Sequence, residues 1–513
     1  MTSSGNWKIP LAMAICLPLA VILGYMVADP LRLTSLAVVS AVIGVLMLPV
    51  LMKWHYGLLV FSCNAVLICA LLPGNPPLWL LATLIAFTFA VINRCLDPDR
   101  PLLAGGNVAW ALIALAGVVI VTALATGGFG ARALGSSSYG GRRYFYIMGA
   151  ILAYFALASH RVPSSRAKFY VSLFFLSGIT ALLSNLVFAG GSKFYWLFYI
   201  IPAEAEMEQL GRLVTAYGFG LQRIIGLTGV GSAVMLFLLV RYGLRGILDL
   251  RKPWRFAVFA TFLVIGVFSG FRSFVGCMFF IFAAAFFIEG LHRTPYLALV
   301  LVLGLAFGIA LITFSNQLPL TVQRALCFLP IKVDQTVQYD AQNSLEWRLE
   351  MWQILANDVP RYLLLGKGCA LRPEDLALSY QNAFRGYGPA SEWAIISGDY
   401  HNGPLSVLLP FGIWGALALG WFFLATGRML YRNCKYGAPE LLTINRALFA
   451  CFVGRVISFL FLVGALHLDL PFFTCLAGLA VSLNRDVTEA APQVAAESVP
   501  ALAVPRIGLG SRL

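Results

Sequence analysis

Long apolar runs separated by short polar segments fill most of this 513-residue chain. A helix needs about 20 predominantly apolar residues to cross the hydrocarbon core of a bilayer. The runs predict fourteen membrane-spanning helices, at about 9–28, 34–52, 56–72, 77–92, 105–125, 143–159, 168–190, 224–240, 255–270, 273–289, 295–314, 403–427, 446–464 and 468–484. The alternating pattern of a membrane β-barrel is missing. The chain is therefore predicted to be an all-α polytopic membrane protein, with about 12–14 transmembrane helices.

The composition agrees with this fold class. Hydrophobic residues make up 60% of the chain and charged residues 11%, and the mean hydropathy is +0.84. Soluble proteins have about 25% charged residues. The first apolar run is too long for the core of a signal peptide, so we expect it to remain as an anchor in the lipid bilayer.

Basic residues in the short loops predict the orientation. One alternating set of loops is rich in Lys and Arg, and segment 241–255 alone holds five basic residues and one acid. Such loops stay in the cytoplasm. Both termini are then expected in the cytoplasm, with segments 191–223 and 315–402 on the other side. This bias accounts for most of the net charge of +14, so no nucleic-acid partner is expected.

The predicted spans divide the chain into four regions. Region 1–314 carries the first eleven spans with the outer loop 191–223, and region 315–402 is one large outer loop. Region 403–485 carries the last three spans, and the Ala-, Val- and Pro-rich tail 486–513 is predicted to be disordered and cytoplasmic. A loop as long as 315–402 between spans is usually functional.

Two short helices are predicted inside the large loop. Asn343 and Glu346 form a capping box that favours a helix over about 343–358, closed by Pro360. Leu371–Gln381 is predicted as a second helix.

His401 is the sharpest candidate for chemistry. It stands at the end of the large loop, directly before the apolar run that begins near Gly403. The positive end of that helix dipole should lower the pKa of His401 and favour the neutral imidazole, which accepts protons. The alternative interpretation is that His401 anchors the loop to the membrane interface.

Three isolated arginines stand at or beyond the outer ends of predicted spans. Arg223 begins one span, Arg272 separates two spans with almost no loop, and Arg348 lies on the predicted loop helix. A charge at the hydrocarbon edge usually has a partner or a function, although long side chains also reach the interface by snorkelling. With His401, three guanidinium groups fit a site that clamps a diphosphate without a metal ion.

Arg455 is a different case, because it lies inside the predicted span 446–464. Either it faces an internal groove, or it marks an error in the boundary of the span.

No motif predicts a metal or a cofactor. The chain has no Walker motif, nucleotide fingerprint or HExxH sequence. Asp97-Pro98-Asp99 resembles the paired acids that bind metal in many glycosyltransferases, but it lies on the predicted cytoplasmic side and is better interpreted as a turn. Cys327 and Cys369, the cysteines of the large loop, either form a disulfide or remain two buried thiols.

Several short motifs occur in the order typical of one family. They are Arg223-Ile224-Ile225-Gly226-Leu227-Thr228-Gly229, Phe271-Arg272-Ser273, Trp347-Arg348 with Trp352, Leu364-Leu365-Gly366-Lys367-Gly368, and His401-Asn402 before a span with Gly412, Trp414 and Gly415. Over about residues 210–430 the chain resembles the O-antigen ligase and O-antigen polymerase superfamily of bacterial envelope glycosyltransferases. It departs from that pattern at 229–232, where Gly-Val-Gly-Ser replaces an Asn-Pro-Asn-like segment.

The resemblance implies a fold and an activity. Members have a C-type glycosyltransferase architecture in the bacterial inner membrane, with the active site on the periplasmic side. They move a glycan with inversion from undecaprenyl diphosphate to an acceptor hydroxyl, without nucleotide, metal or other cofactor. By resemblance Arg223, Arg272 and Arg348 bind the diphosphate, and His401 is the base or positions the acceptor. The acceptor is a lipid A core, a protein or another glycan chain, and the sequence does not decide between ligase and polymerase.

A second hypothesis is a transporter or flippase of the lipid-linked glycan. Transporters of this kind place charges near the bilayer midplane and are often built from inverted repeats. Arg455 is the charge that the apolar runs place near the midplane, and the sequence shows no internal repeat.

The orientation can be tested by cysteine labelling. In a cysteine-depleted background, a membrane-impermeant thiol reagent applied to intact cells should label Tyr380→Cys and leave Arg245→Cys unlabelled. The physical reason is the basic bias of segment 241–255. Labelling at position 245 but not at 380 would reverse the orientation and with it the location of the site.

Overall fold

A computed structural model describes residues 33–70, 72, 74–98, 102–127, 129, 140–203, 223–371, 395, 398–485 and 487, with isolated positions between 13 and 24. Most of the predicted span 9–28, the predicted helix Leu371–Gln381 beyond its first residue, all of 204–222 and nearly all of the tail 486–513 lie outside the described residues.

Most of the described residues are helical, with no β-strand among them. In chain order the helices are α1 (Leu33–Ser62), α2 (Leu78–Leu96), α3 (Asn107–Ala125), α4 (Gly141–Ala158), α5 (Ser164–Leu176), α6 (Leu182–Gly190), α7 (Ile225–Ile247), α8 (Pro253–Val267), α9 (Arg272–Ile288), α10 (Tyr296–Phe314), α11 (Leu320–Leu326), α12 (Gln335–Tyr362), α13 (Gly403–Tyr436), α14 (Leu442–Phe461) and α15 (Leu466–Leu483). A 3₁₀ turn, Ser177–Ala181, joins α5 to α6.

Nine helical segments among the described residues are long and apolar enough to cross a membrane. The shorter helices α8 and α9 are also apolar. The protein is therefore an all-α polytopic membrane protein, as the hydrophobic pattern predicts. From residue 77 onward, helices cover every predicted span and most of their ends agree to within about four residues. The exceptions are α7 and α13, which run seven and nine residues past the predicted ends at 240 and 427, and the predicted span 168–190, which is divided between α5, the 3₁₀ turn and α6.

The prediction of two spans at 34–52 and 56–72 is wrong. One helix, α1, covers the first and ends inside the second at Ser62. The described residues of 63–77 are not helical, and distant partners bind their backbone groups. Val66 N donates to Thr180 Oγ1 at 2.8 Å, and Ile68 N donates to Ile200 O at 2.8 Å. Irregular backbone at membrane depth is tolerated where protein satisfies its polar groups in this way.

The helix of the large loop is longer than the capping box predicts. It begins after Asp334, whose side chain accepts from Thr336 N at 2.8 Å, and it continues through Pro360 to Tyr362. Asn343 and Glu346 therefore lie inside the helix rather than at its start. Because α12 spans 28 residues, it reaches across the end of the bundle and carries several side chains of the site.

The centre of the bundle is the pair α4 and α15. Gly478 of α15 packs so closely on α4 that a Cβ at this position would meet Leu157 Cβ and Tyr154 O, each at 2.9 Å. Small residues at such crossings let backbones approach, which stabilises helix association in membranes. In contrast, α10 lies at the periphery, with Leu311 as its buried residue.

Helix ends separate into two groups at opposite ends of the bundle. At one end, Glu289 beyond α9 accepts hydrogen bonds from Leu244 N at 2.6 Å and Arg245 N at 2.9 Å, close to the end of α7. Arg446, near the start of α14, lines the same cavity. The opposite ends of α7 and α9 begin beside Arg223 and Arg272. The alternating loops of the sequence predict this arrangement, with Arg245 and Arg446 away from the candidate site.

A break in α13 fixes the large loop to the bundle. Gly412 has a non-helical backbone (φ 62°, ψ −162°) two residues after Pro410. The turn that follows α12 fills the gap. Lys367 N donates to Leu409 O at 2.7 Å, and Ile413 N donates to Leu363 O at 2.7 Å. The loop therefore supplies partners that the broken helix lacks, and its position is set by backbone hydrogen bonds.

Replacing Gly412 with Ala should destabilise the protein. A Cβ there would lie 2.6 Å from Leu363 O, at a φ that side chains rarely adopt. We expect a loss of roughly 1–3 kcal/mol, seen as a lower unfolding midpoint of the purified protein in detergent. Gly420→Ala on the same helix is the matched control, because nothing lies within 4 Å of its added Cβ. Equal midpoints for the two variants would contradict the described break.

Candidate functional site

Four arginines from separate parts of the chain surround one cavity of about 300 Å³. Arg223 stands just before α7 and Arg272 is the first residue of α9, while Arg324 and Arg348 lie on α11 and α12. Arg223 also packs over the ring of Phe271, with its Cζ 5.9 Å from the ring centroid. The structure thus brings together the three arginines singled out in the sequence and adds Arg324.

Asp340 of α12 neutralises part of this charge. Its Oδ2 accepts from Arg324 Nε at 2.5 Å, and its Oδ1 lies 3.8 Å from Arg223 Nη2. The side chain of Arg324 is buried, with only 3% exposed. Its Nη1 donates to Gly270 O at 2.6 Å. One buried side chain therefore ties α11 and α12 to the corner between α8 and α9, directly before Arg272.

Asp340 forms no ion pair with the other two arginines of the cavity, Arg272 and Arg348. Neither forms an ion pair with an acid of the described residues. The Nε of Arg348 is buried and has no hydrogen-bond partner there. Burial, followed by the positive charges of Arg272 and Arg324, lowers the pKa of Arg348. Its guanidinium stays protonated nonetheless, so the cavity holds an excess of positive charge that an anion would relieve.

His401 is held in a strained backbone conformation beside this cavity. Its φ of 48° is in the left-handed region, which few non-glycine residues adopt. The residues on either side are fixed. Trp352 Nε1 donates to Tyr400 O at 2.8 Å, and the Asn402 side chain caps α13 by accepting from Leu405 N at 3.0 Å. Strain of this kind persists only where the surroundings impose it, and it is concentrated at functional sites.

The ring of His401 contacts residues with distinct effects on its charge. Trp347 meets it edge to face at a centroid distance of 5.6 Å, and Asp399 Oδ1 lies 3.5 Å from its Nδ1. Burial is the main cause that lowers the pKa of His401; Asp399 opposes this shift and Arg348 adds to it. The imidazole is therefore neutral at neutral pH and able to accept a proton. The sequence analysis predicts a lowered pKa for His401 from the helix dipole. The pKa is lowered in the structure too, but burial is the largest cause.

His401 also lines a second cavity, of about 430 Å³, that extends into the bundle. Ser273 and Val463 line both cavities, so the two are adjacent. Arg455 faces this second cavity from within α14 and forms an ion pair with Asp469 at 3.0 Å. Of the two interpretations of Arg455, an internal groove or an error in the boundary of the span, the structure supports the groove. The residue lies well inside α14 and lines the cavity.

The other sequence candidates lie away from the site or show no pairing. Cys327 and Cys369 are both free thiols. Asp97 caps the end of α2, which agrees with a turn, and Asp99 lies outside the described residues. Within the described part of the chain, no group of three His, Cys, Asp or Glu residues is arranged to hold a metal ion.

Comparison of the chain with protein-family models gives no match, and comparison with curated proteins gives no significant match either.

Removing Arg324 should destabilise the loop around the site. Breaking a buried ion pair typically costs about 3–5 kcal/mol, and without Arg324 the carboxylate of Asp340 keeps only the longer contact with Arg223. We expect Arg324→Leu to lower the unfolding midpoint in detergent, and Arg324→Leu with Asp340→Leu to recover much of it. Arg361→Ala, at an exposed position of α12, is the control and should change little. A stable Arg324→Leu single variant would show that the pair does not hold the loop.

Proposed function

We propose that this protein is an inverting glycosyltransferase that moves a glycan from undecaprenyl diphosphate to an acceptor hydroxyl. The observation that carries the proposal is the convergence of Arg223, Arg272, Arg324 and Arg348 on one cavity, directly beside a neutral histidine. The activity is of the kind seen in O-antigen ligases and polymerases, which the sequence motifs resemble.

The charge of the cavity suits a diphosphate diester. Four guanidinium groups and the carboxylate of Asp340 leave three positive charges, and the donor's diphosphate carries about two negative charges at neutral pH. Negative charge grows on the diphosphate as its bond to the sugar breaks. Preorganised donors such as Arg272 and Arg348 stabilise that charge in the transition state, and in this proposal they take the role that a metal ion has in other glycosyltransferases.

His401 is the proposed general base. The hydroxyl proton of the acceptor passes to the neutral imidazole, and the acceptor oxygen forms a bond to the anomeric carbon. The bond between that carbon and the phosphate oxygen breaks, and its electron pair leaves with the diphosphate. The 3.5 Å contact with Asp399 Oδ1 orients the ring and stabilises the imidazolium that forms.

The proposed setting is the inner membrane of a bacterium, with the site at the periplasmic face and both termini in the cytoplasm. The basic loops that contain Arg245 and Arg446 lie at the opposite end of the bundle, which supports this orientation. The positions of the arginines favour an enzyme over the transporter or flippase hypothesis, because they gather at one end of the helices rather than near the midplane.

The arginines that lack an acidic partner should matter most for transfer. We expect Arg272→Ala and Arg348→Ala each to reduce glycan transfer by about 10²–10³-fold, as loss of one preorganised donor does. Transfer is measured with purified protein in nanodiscs, using lipid-linked glycan extracted from the host membrane. Arg361→Ala on α12 is the matched control and should keep its activity. A wild-type protein that only moves the donor across vesicle membranes would support the flippase hypothesis instead.

The pH dependence of transfer tests the role of His401. Because its folded-state pKa is lowered from about 6.5, the base form persists as pH falls, and activity should drop only below the usual histidine range. Asp399→Asn should move this acid limb to lower pH, since Asp399 raises the pKa. His401→Gln should lose about 10²–10⁴-fold, whereas His467→Ala should be nearly silent. Near-normal rates for His401→Gln at every pH would exclude the base role.

A further inference from the structure

A partly buried ion pair lies within the membrane part of the bundle and has no place in the mechanism above. Arg455 Nη2 and Asp469 Oδ1 are 3.0 Å apart, and Arg455 lies six residues before the end of α14, about 9 Å along the helix. Charges at such depth are costly and usually functional. Stability is a weak explanation for them, because apolar residues in place of a buried pair are often neutral or stabilising.

The pair is open to the second cavity and keeps hydrogen-bonding capacity for a ligand. The side chains of Arg455 and Asp469 are 33% and 20% exposed although both lie inside the bundle. Asp469 accepts from Arg455 and, through Oδ2, from Ala465 N at 3.0 Å. A carboxylate has about four acceptor sites and a guanidinium five donors. Arg455 therefore retains donors and Asp469 retains acceptors for a ligand. Hydroxyl groups, which both donate and accept hydrogen bonds, are ligands that suit this pair.

The rest of the cavity combines a largely apolar lining with a few polar side chains, as small-ligand sites do. Its volume of about 430 Å³ is in the range of small-ligand pockets. The polar side chains of Asn64 and Ser273 line it, together with aromatic rings. Phe472 lies under Arg455, with the guanidinium Cζ 4.8 Å from the ring centroid. Rings that cover apolar sugar faces and ionic groups that bind hydroxyls are what a carbohydrate needs, whereas a lipid chain needs no ions.

The position of this cavity indicates whether it binds the donor sugar or the acceptor sugar. In an inverting transfer the acceptor oxygen attacks the anomeric carbon from the side opposite the leaving diphosphate. The arginine cavity lies on one side of the Ser273 and Val463 boundary and the second cavity on the other, with His401 lining the second. We propose that the second cavity binds the acceptor as a sugar residue, and that Arg455 and Asp469 are its specificity-determining residues. This inference rests on the proposed function, because it assigns the diphosphate to the arginine cavity.

The double variant Arg455→Leu with Asp469→Leu separates this role from a structural one. In nanodiscs its unfolding midpoint should equal or exceed that of the wild type. Binding of undecaprenyl diphosphate should be unchanged, since the arginine cavity is intact. The amount of glycan transferred in host cells at limiting acceptor should fall by about 10–100-fold, as expected when hydrogen bonds to charged groups are lost.

A direct readout comes from Cys277, which lines the same cavity. Peptide-resolved mass spectrometry follows its alkylation by iodoacetamide in the presence of octyl glycosides of glucose, galactose, mannose or N-acetylglucosamine. At least one glycoside should protect Cys277 in the wild type and not in the double variant. Cys434, near the opposite end of α13, is the control thiol, and its alkylation should not respond to any glycoside.

Three results would overturn the inference. Wild-type transfer by the double variant would make the ion pair purely structural. Loss of undecaprenyl diphosphate binding by the double variant would assign the cavity to the donor. Absence of protection by every glycoside would remove the sugar site. Failure of the proposed function looks different, because the wild type itself would then transfer no glycan from undecaprenyl diphosphate to any acceptor, whatever happens at Cys277.

Discussion

Four like charges around one small cavity repel each other, and the fold has to hold them there. The buried contact of Arg324 with Asp340 and Gly270 O is the interaction on which this depends. It offsets one positive charge and joins α11, α12 and the corner before Arg272. The charge that remains on Arg272 and Arg348 is then available to an anion, and in the proposed function the binding of the diphosphate offsets the cost of assembling it.

Helix α12 transmits the same constraint to His401. Met351 and Leu355 bury one side of the helix against Tyr400 and Leu409, and the Trp352 indole holds the backbone of Tyr400. Arg348 and Trp347 are neighbours on this helix, so one rigid element sets both the guanidinium and the ring that packs on His401. The backbone pairing at the break in α13 fixes the far end of α12. His401 and the arginine cavity therefore keep a constant spacing, which the proposed catalysis by positioning requires.

Much of the site could be predicted because isolated charges in a membrane protein stand out. Arg223, Arg272 and Arg348 interrupt apolar or near-neutral segments, and His401 precedes a span, so position in the sequence alone distinguishes each of them. Arg324 did not, since it lies on a short loop helix and its burial depends on Asp340 and Gly270, which are distant in sequence. The end of α1 was missed for a related reason. Whether 63–72 continues the helix is decided by partners such as Thr180 and Ile200, and apolar composition does not reveal them.

The alternation of the loops was predictable, whereas the contents of the bundle's interior were not. Lys and Arg counts are local properties of the sequence, but the partner of Arg455 lies across a turn on α15, and its exposure depends on a cavity formed by several helices. The two cavities that meet near Ser273 are likewise a property of packing. A linear pattern could therefore indicate the arginines and the histidine of the candidate site, but not the second cavity on the other side of His401.

The most direct test is an electron cryo-microscopy structure of the protein in nanodiscs with undecaprenyl diphosphate bound. The account predicts that the diphosphate lies in the arginine cavity, within hydrogen-bond distance of Arg272 and Arg348, with the end that would carry the sugar directed towards His401. Diphosphate density at the opposite end of the bundle, near Arg245 and Arg446, or anywhere outside the reach of Arg272 and Arg348, would contradict it.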